Sequence, residues 1–338
     1  MSDHAVFAGR LEAWARAHYG PGAVVGGVRR MPGNSGISYG FDVEHRGERE
    51  ALVVRLAPPG VARQGNADVM RQVPLLRAMK RAGLPVPGVR WFDADESWFG
   101  VPYHMVEHVR GQSTHLFDAG AAELVDGSGL EPVFAEAMGV LAAIHRVDWR
   151  RELAGWSTPR DLAGEIDSWT PSLLKSDDPR WIERGLRLRD RLVASMPEVA
   201  ETSVVHGDFY SNNWLFAEGR LTAVLDWEIA SIGCAGVDIG WICMMYDPRS
   251  WGPARHQWSR WSPSPEFLLG AYRAAGGLEV PDLDWFRALA GFRLSCITAM
   301  SLRLHRTGRR PDPAWEVLAD ASPYMLDRAG ELLGGEGR

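Results

Sequence analysis

VVHGDFYSNNWLFAEGRLTAVLDWE, residues Val204 to Glu228, holds the most informative order of residue types in the chain. Two short apolar runs, Trp214 to Ala217 and Leu221 to Leu225, are joined through Glu218-Gly219-Arg220, which reads as a β-hairpin. Gly at the first central position suits a type II′ turn, so the turn is read as Gly219-Arg220. In that register Glu218 faces Leu221, Trp214 faces Leu225, and Asn213 falls opposite Asp226. Opposed residues of an antiparallel pair share a face about 4.5–5.5 Å apart. An amide oxygen and a carboxylate are then presented together as hard oxygen donors, the chemistry that suits Mg²⁺. Asp208 stands five residues before Asn213, on a loop that begins at His206-Gly207. A loop there can bring a second carboxylate near the ion without making it a ligand.

The order of acidic loop residue, Asn and a second Asp after a hairpin fits the plan of phosphoryl-transfer enzymes. In that plan one Asp takes the substrate hydroxyl's proton, and the Asn and the other Asp hold Mg²⁺ on nucleotide phosphates. A chance HGD in a turn is a poor match for the ordered spacing and the intervening hairpin. Other hydrolytic and nucleotide signatures are missing from the sequence: there is no GxSxG elbow, HExxH or GxxxxGK[ST]. The HGDxxxxN stretch His206 to Asn213 and the DWE of Asp226 to Glu228 resemble the aminoglycoside phosphotransferase and choline kinase family. The similarity runs over about residues 25–245, and LAAIHRVDW, Leu141 to Trp149, is similar to a helix end of that family. The nearest flavour resembles the kinase-like domain fused to some acyl-CoA dehydrogenases.

The resemblance implies an α+β, bilobed protein-kinase-like fold: a small antiparallel-sheet lobe with one helix over residues 1–108, and a large, mostly helical lobe over 109–338. The second lobe is expected to carry the catalytic loop 206–213, the metal hairpin 213–226 and the substrate-binding helices. The implied activity is transfer of the γ-phosphoryl group of ATP (or GTP), with Mg²⁺, to a hydroxyl of a small molecule. Asp208 is the implied base, and Asn213 and Asp226 the metal ligands. Asp238, in CAGVDIGW, resembles the family's brace for the catalytic loop, and His206 is expected to brace the same loop by hydrogen bonds. The backbone of Glu107-His108-Val109 matches the adenine-binding hinge, with Glu107 and Val109 as its contacts. Arg55 occupies the place of the family's phosphate-binding Lys. A guanidinium keeps its charge and contacts two oxygens, so phosphate binding should survive with altered geometry. Gln72 stands where a helix Glu normally pairs with that cation, and Asp68, one helical turn earlier, is read either as the substitute or as a solvated helix residue. These two departures support the alternative reading, a catalytically weak nucleotide-binding pseudokinase module. The intact Asp208, Asn213 and Asp226 oppose it.

Outside the motif, Ile37 to His45 alternates apolar and polar residues with a period of two, which marks a half-buried strand. A turn at Arg46-Gly47-Glu48 leads to a partner strand over Ala51 to Leu56, and Val24 to Met31 precedes both as a third strand. Between them, Gly33, Asn34, Ser35 and Gly36 form a small-residue turn where backbone N–H groups can approach phosphate. Asp68 to Ala82 predicts a helix with Pro74 in its first turn or at a kink. Leu84 to Phe92 and Pro102 to Val109 predict further strands. Beyond Gly111, Phe134, Met138, Leu141 and His145 share one helical face, and more helices are expected near 160–175, 180–195, 264–275, 282–305 and 313–333. Asp247 to Pro265 reads as a long ordered loop.

The 338 residues carry a net charge of −6, which gives no general attraction for nucleic acid or an anionic membrane. The N-terminal stretch lacks the apolar core of a secretory signal. Three cysteines, Cys234, Cys243 and Cys296, are too few for a disulfide scaffold. A cytoplasmic location follows as the expectation. His145 is read as a packed core histidine, and Trp241, Trp251, Trp258 and Trp261 as packing rather than an aromatic cage. Asp161, Glu165 and Asp167 are read as a solvated helix face.

Overall fold

The alternating pattern produces strand β2 over Ile37–His45, and β3, Glu48–Leu56, returns beside it in register with His45 opposite Glu48. Arg46 and Gly47 are the two loop residues and both have positive φ, 53° and 81°, the requirement of a type I′ hairpin whose twist matches the strands. The computed structural model describes residues 3–31, 37–58, 60–61, 63, 65–113, 130–252 and 262–334. The expected small-residue turn Gly33, Asn34, Ser35 and Gly36 therefore lies outside the described residues, as do Trp258 and Trp261 and much of the expected loop over 247–265.

The described chain divides into two compact units. The first comprises residues 1–111 with 215–217 and 222–229, and the second comprises 112–214, 218–221 and 230–338. The first long segment ends at Gly111, and most of the hairpin region packs with the first unit. Hydrogen bonds explain that assignment: Thr222 Oγ1 donates to the Arg110 carbonyl at 3.0 Å, and Val224 N donates to the Pro85 carbonyl at 2.7 Å.

In the first unit, β1 (Val24–Arg30), β2, β3, β4 (Val89–Asp93) and β5 (Tyr103–Glu107) form an antiparallel sheet in the order β1-β2-β3-β5-β4. Phe41, Val43, Leu52, Val54, Leu56 and Met105 bury one face of it against helix α1, Asp3–Tyr19. The helix answers with Leu11, Trp14 and Ala15, all fully buried, and the Trp14 indole donates to Tyr103 Oη at 2.8 Å. A buried indole N–H needs such a partner, which fixes the helix on the sheet. No element was expected over these N-terminal residues, so α1 is an addition.

The expected helix over 68–82 begins later, as α2 over Gln72–Arg81, preceded by two short 3₁₀ turns. Asp68 caps the second of these by accepting from Met70 N, so it stands outside the helix, and Pro74 falls in the first turn of α2, where its missing N–H costs nothing.

The second unit is mainly helical: α3 (Glu131–His145), α4 (Trp149–Glu152), α5 (Leu162–Leu173), α6 (Pro179–Ala194), α7 (Gly236–Tyr246), α8 (Pro265–Ala274), α9 (Leu283–Arg306) and α10 (Ala314–Leu332). Helix α7 is buried on every side and packs on α9 through Gly240, where a Cβ would lie 2.3 Å from the Phe286 carbonyl oxygen. Only glycine permits that approach. Strands β6 (Ser203–Val205) and β9 (Ser231–Gly233) pair antiparallel at the base of the motif loop.

The hairpin exists as β7 (Trp214–Ala217) and β8 (Arg220–Val224), but its turn is Glu218-Gly219 rather than Gly219-Arg220. Both turn residues have positive φ, 53° and 72°, which makes the turn type I′. Thr222 Oγ1 also donates to the Leu215 carbonyl, consistent with Ala217 facing Arg220. The register that set Asn213 directly across from Asp226 is thereby corrected by two positions. Neither residue belongs to a strand: Asn213 ends a 3₁₀ turn, and β8 stops at Val224.

Candidate functional site

In the second unit, the chain leaving β6 forms the His206-Gly207-Asp208 loop, and the buried carboxylate of Asp238 holds it. His206 N donates to Asp238 Oδ2 and Gly207 N to Oδ1, each at 2.7 Å. His145 Nε2 reaches the same Oδ2 at 3.1 Å, and its Nδ1 lies 2.7 Å from Tyr272 Oη. The consistent assignment has Nε2–H donating to Asp238 and Nδ1 accepting from the phenol, whose oxygen in turn accepts from Leu278 N. His145 is therefore buried as expected, yet it has a specific task in orienting the brace. Asp238 lies in the first turn of α7, where the helix dipole also favours a negative charge. Burial by itself would raise its pKa. The hydrogen bond and electrostatic pull of the His145 ring, the His206 ring and the Gly207 N–H outweigh that, and the carboxyl sits below its ordinary value.

Within the loop, Asp208 N donates to His206 Nδ1 at 3.2 Å, which ties the His206 ring to the peptide it supports. Asn213 Nδ2 donates to the Asp208 carbonyl at 2.8 Å and to Asp208 Oδ2 at 2.9 Å. One amide thus fixes both the main chain and the carboxylate of Asp208. Phe209 and Trp214 pack as a pair with ring centroids 5.0 Å apart, anchoring the residues on either side.

A further contact reaches this loop from α9. Arg293, 1% exposed, donates to the Gly207 carbonyl at 3.0 Å. Its guanidinium lies 5.2 Å from the Trp169 ring and 5.0 Å from that of Trp241, and its Nε makes an ion-pair contact of 3.1 Å with Glu165 Oε1. Glu165 also accepts from Arg160 and from the Trp169 indole, both at 2.8 Å. The expected solvated face is thus corrected at Glu165, which is 6% exposed and fully engaged, whereas Asp161 caps α5 and Asp167 is exposed. Trp241 and Trp251 are both buried packing residues.

In the first unit, Arg55 projects from β3 one residue before its end, between Ser38 of β2 and His104 of β5. Its Nη2 donates to Asp226 Oδ1 at 3.0 Å and to Glu228 Oε2 at 2.6 Å. Burial acts to lower the Arg55 pKa, but the two carboxylates prevail and hold it above its ordinary value, so the group stays charged. The DWE turn is built to present both acids: Trp227 is buried and its indole donates to the Val224 carbonyl at 3.0 Å. Asp226 takes φ of 60°, a left-handed conformation that costs a residue with a Cβ about 1–3 kcal/mol. His104 is buried beside Arg55, and burial followed by the Arg55 charge lowers its pKa to about 3. The proposed partner Asp68 is occupied as a cap, and the buried Gln72 has no hydrogen-bond partner for its Nε2 among the described residues.

At the predicted hinge, the Glu107 side chain accepts from Lys80 Nζ at 2.7 Å and from Gly88 N at 2.8 Å. Its N–H donates to the Gly88 carbonyl, and the His108 N–H donates to the Ala51 carbonyl. These bonds hold the strand end in place, with Val109 following directly. Among the described residues, no group of three His, Cys, Asp or Glu side chains gathers as a self-sufficient metal cluster.

The three cysteines are buried thiols. Burial pushes Cys234 up to about 11 and Cys243 up to about 12, with Cys296 raised further still. A thiolate nucleophile is thereby disfavoured. Ellman's reagent is expected to label none of them within minutes in native protein, and all three in guanidinium. Rapid native labelling would contradict this burial.

A family model described as the phosphotransferase enzyme family (APH) matches residues 34–289. Acyl-CoA dehydrogenase family member 10 of Mus musculus is 27% identical over 199 residues, covering 58% of this chain and 18% of that protein. Hygromycin-B 4-O-kinase of Escherichia coli is 28% identical over 226 residues, covering 60% of this chain and 61% of the kinase. The chain spans from about a fifth to a third of the length of the acyl-CoA dehydrogenase relatives it matches. Among solved structures, a Ralstonia eutropha JMP134 protein provisionally named an aminoglycoside phosphotransferase aligns with a TM-score of 0.74 at 24% identity, covering 96% of this chain and 98% of that one. A mutant of aminoglycoside phosphotransferase APH(4)-Ia, in ternary complex with AMP-PNP and hygromycin B, aligns with a TM-score of 0.61 at 17% identity, covering 96% and 98%. Both show the kinase-like α+β fold. Among the described residues, no helix is long and apolar enough to cross a membrane.

Proposed function

The chain belongs to the phosphotransferase enzyme family, and from that membership we propose that it transfers the γ-phosphoryl group of ATP (or GTP) to a hydroxyl of a small molecule. The observation that carries the reading is the pair of hydrogen bonds that Asn213 Nδ2 donates to the carbonyl and carboxylate of Asp208, on a loop pinned by Asp238. A general base has to be aimed before the reaction begins, and this carboxylate is aimed by its neighbours. In the proposed step the acceptor hydroxyl oxygen bonds to the γ-phosphorus, the bond from that phosphorus to the β–γ bridging oxygen breaks, and ADP leaves. The hydroxyl proton passes to the Asp208 carboxylate.

The residues fit Mg²⁺ by donor chemistry. Asn213 uses its NH₂ end on Asp208, which leaves its amide oxygen as the hard donor, and Asp226 adds a carboxylate. Magnesium on a nucleotide needs only one or two such protein ligands, since phosphates and water complete the shell. When bound, the ion offsets charge on the phosphates. Arg55 and the backbone of Gly33 to Gly36 are proposed to contact the phosphates, and the Glu107 and Val109 backbone to contact adenine. His206 and Asp238 position the loop without touching substrate.

The test is a panel of hydroxylated compounds, including aminoglycosides, macrolides, choline-like amines and hydroxyacyl thioesters, assayed for stimulated ADP release with Mg²⁺ and ATP. At least one acceptor should raise ADP release well above the rate with water and yield a phosphate ester. Tight ATP binding with no turnover on the panel would favour the nucleotide-binding module instead.

A further inference from the structure

The cation that stands where the family carries a Lys has no acid facing it from helix α2. Gln72 supplies no charge there, and Asp68 accepts a main-chain N–H at the cap. A guanidinium only 17% exposed still requires compensation, because an unpaired charge largely removed from water is strongly unfavourable. Two carboxylates supply it, and they differ. Glu228 is the closer, at 2.6 Å against 3.0 Å, and its side chain is 13% exposed where that of Asp226 is 31% exposed. Both bind the same nitrogen, Nη2.

We propose that Glu228 is the positioning residue for Arg55, taking over from the DWE turn the role that an acid on α2 would otherwise fill. This rests on the reading of Arg55 as a phosphate contact. The chemistry separates the two acids. Asp226 is the proposed metal ligand, so its oxygen is shared with the ion when nucleotide is present, whereas Glu228 remains on Arg55. An arginine side chain has rotamer entropy to lose, and a charge-assisted bond made before the nucleotide arrives removes that loss from the binding step. Trp227 makes the arrangement rigid, since its buried ring and its bond to Val224 fix the residue between the two acids. The phosphate-binding cation is then coupled to the metal-bearing turn, and its orientation does not depend on where α2 sits.

The experiment is a double-mutant cycle on ADP affinity, measured by titration calorimetry with EDTA and again with Mg²⁺, using wild type, Arg55→Met, Glu228→Gln, Glu228→Asp and Arg55→Met/Glu228→Gln. Glu228→Gln should weaken ADP about tenfold, the scale of one charge-assisted bond, and Glu228→Asp should recover part of the loss by restoring the charge. The double variant should bind no more weakly than Arg55→Met alone, because Glu228 acts through Arg55. Equal additive losses would overturn the proposal, as would a Glu228→Gln effect confined to Mg²⁺ and persisting without Arg55, the mark of a direct metal ligand. Thermal midpoints within a few degrees across the set show that folding is not the cause. If wild type turns over ATP yet the losses add, the pairing role alone falls. If wild type binds no nucleotide in either buffer, the phosphotransferase reading falls with it.

Discussion

Asp208→Asn is expected to lower kcat by about 10²–10⁴-fold, the range of a positioned general base, while nucleotide affinity and thermal midpoint stay near wild type. The substitution keeps the shape of the side chain and removes its capacity to take a proton. Its local cost should be small, because Asp208 is only half-buried and Asn213 can still donate to the Asp208 carbonyl. The rate loss then belongs to the chemical step. Steady-state turnover on the acceptor found in the panel, together with ADP titration, checks both halves. A variant that turned over at the wild-type rate would remove Asp208 from the mechanism. A variant that lost nucleotide binding in proportion would recast the residue as a structural part of the loop.

The two acids of the DWE turn and the brace on the Asp208 loop are unequally visible in the sequence, for physical reasons. Asp238 was found because its motif resembles a family feature, and its three hydrogen bonds then explain the resemblance. Glu228 stood inside a quoted motif, yet its partner Arg55 lies far back in the chain on β3, and periodicity within a window carries no such pairing. Arg293 left a detectable trace, a single cation in the apolar stretch Ala288 to Cys296, where a charge is tolerated only when paired. Its companion Glu165 was misread because the spacing of charges on α5 resembles a solvated face until α9 packs on it.

Local chemistry accounts for the other differences. Asp68 does not reach for the distant cation but satisfies a nearer donor, the Met70 N–H, as short polar side chains tend to do at helix starts. The hairpin turn slipped because a first central residue with positive φ is expected to be Gly, Asn or Asp, and here Glu218 takes it. Helix α1 has Leu11, Trp14 and Ala15 at helical spacing, but the charged and small residues between them dilute the stripe within a short window. By contrast β2 and α3 were plain, since a strict period of two and a buried stripe at three- and four-residue steps admit few other folds.

Asp238→Asn is expected to destabilise the protein by about 3–5 kcal/mol, the cost of removing one partner from a buried charged network, and to reduce kcat along with it. An Asn at this position has one oxygen for three donors, the N–H groups of His206 and Gly207 and the His145 ring, and its own NH₂ must face one of them. A buried donor left unsatisfied accounts for much of the loss. The wild-type residue also predicts a pH dependence. Its carboxyl binds a proton less readily folded than unfolded, where the ordinary value is 3.8. Its contribution is therefore complete above about pH 5 and declines as the pH falls through the ordinary value toward the lower folded one. Unfolding free energies from denaturant titrations between pH 3 and pH 6 separate this group from the other carboxylates by difference. The gap between wild type and Asp238→Asn should be widest near pH 6 and should shrink on acidification. Parallel curves would mean that Asp238 is not held as the charged acceptor of three bonds, and the loop carrying Asp208 would need another support.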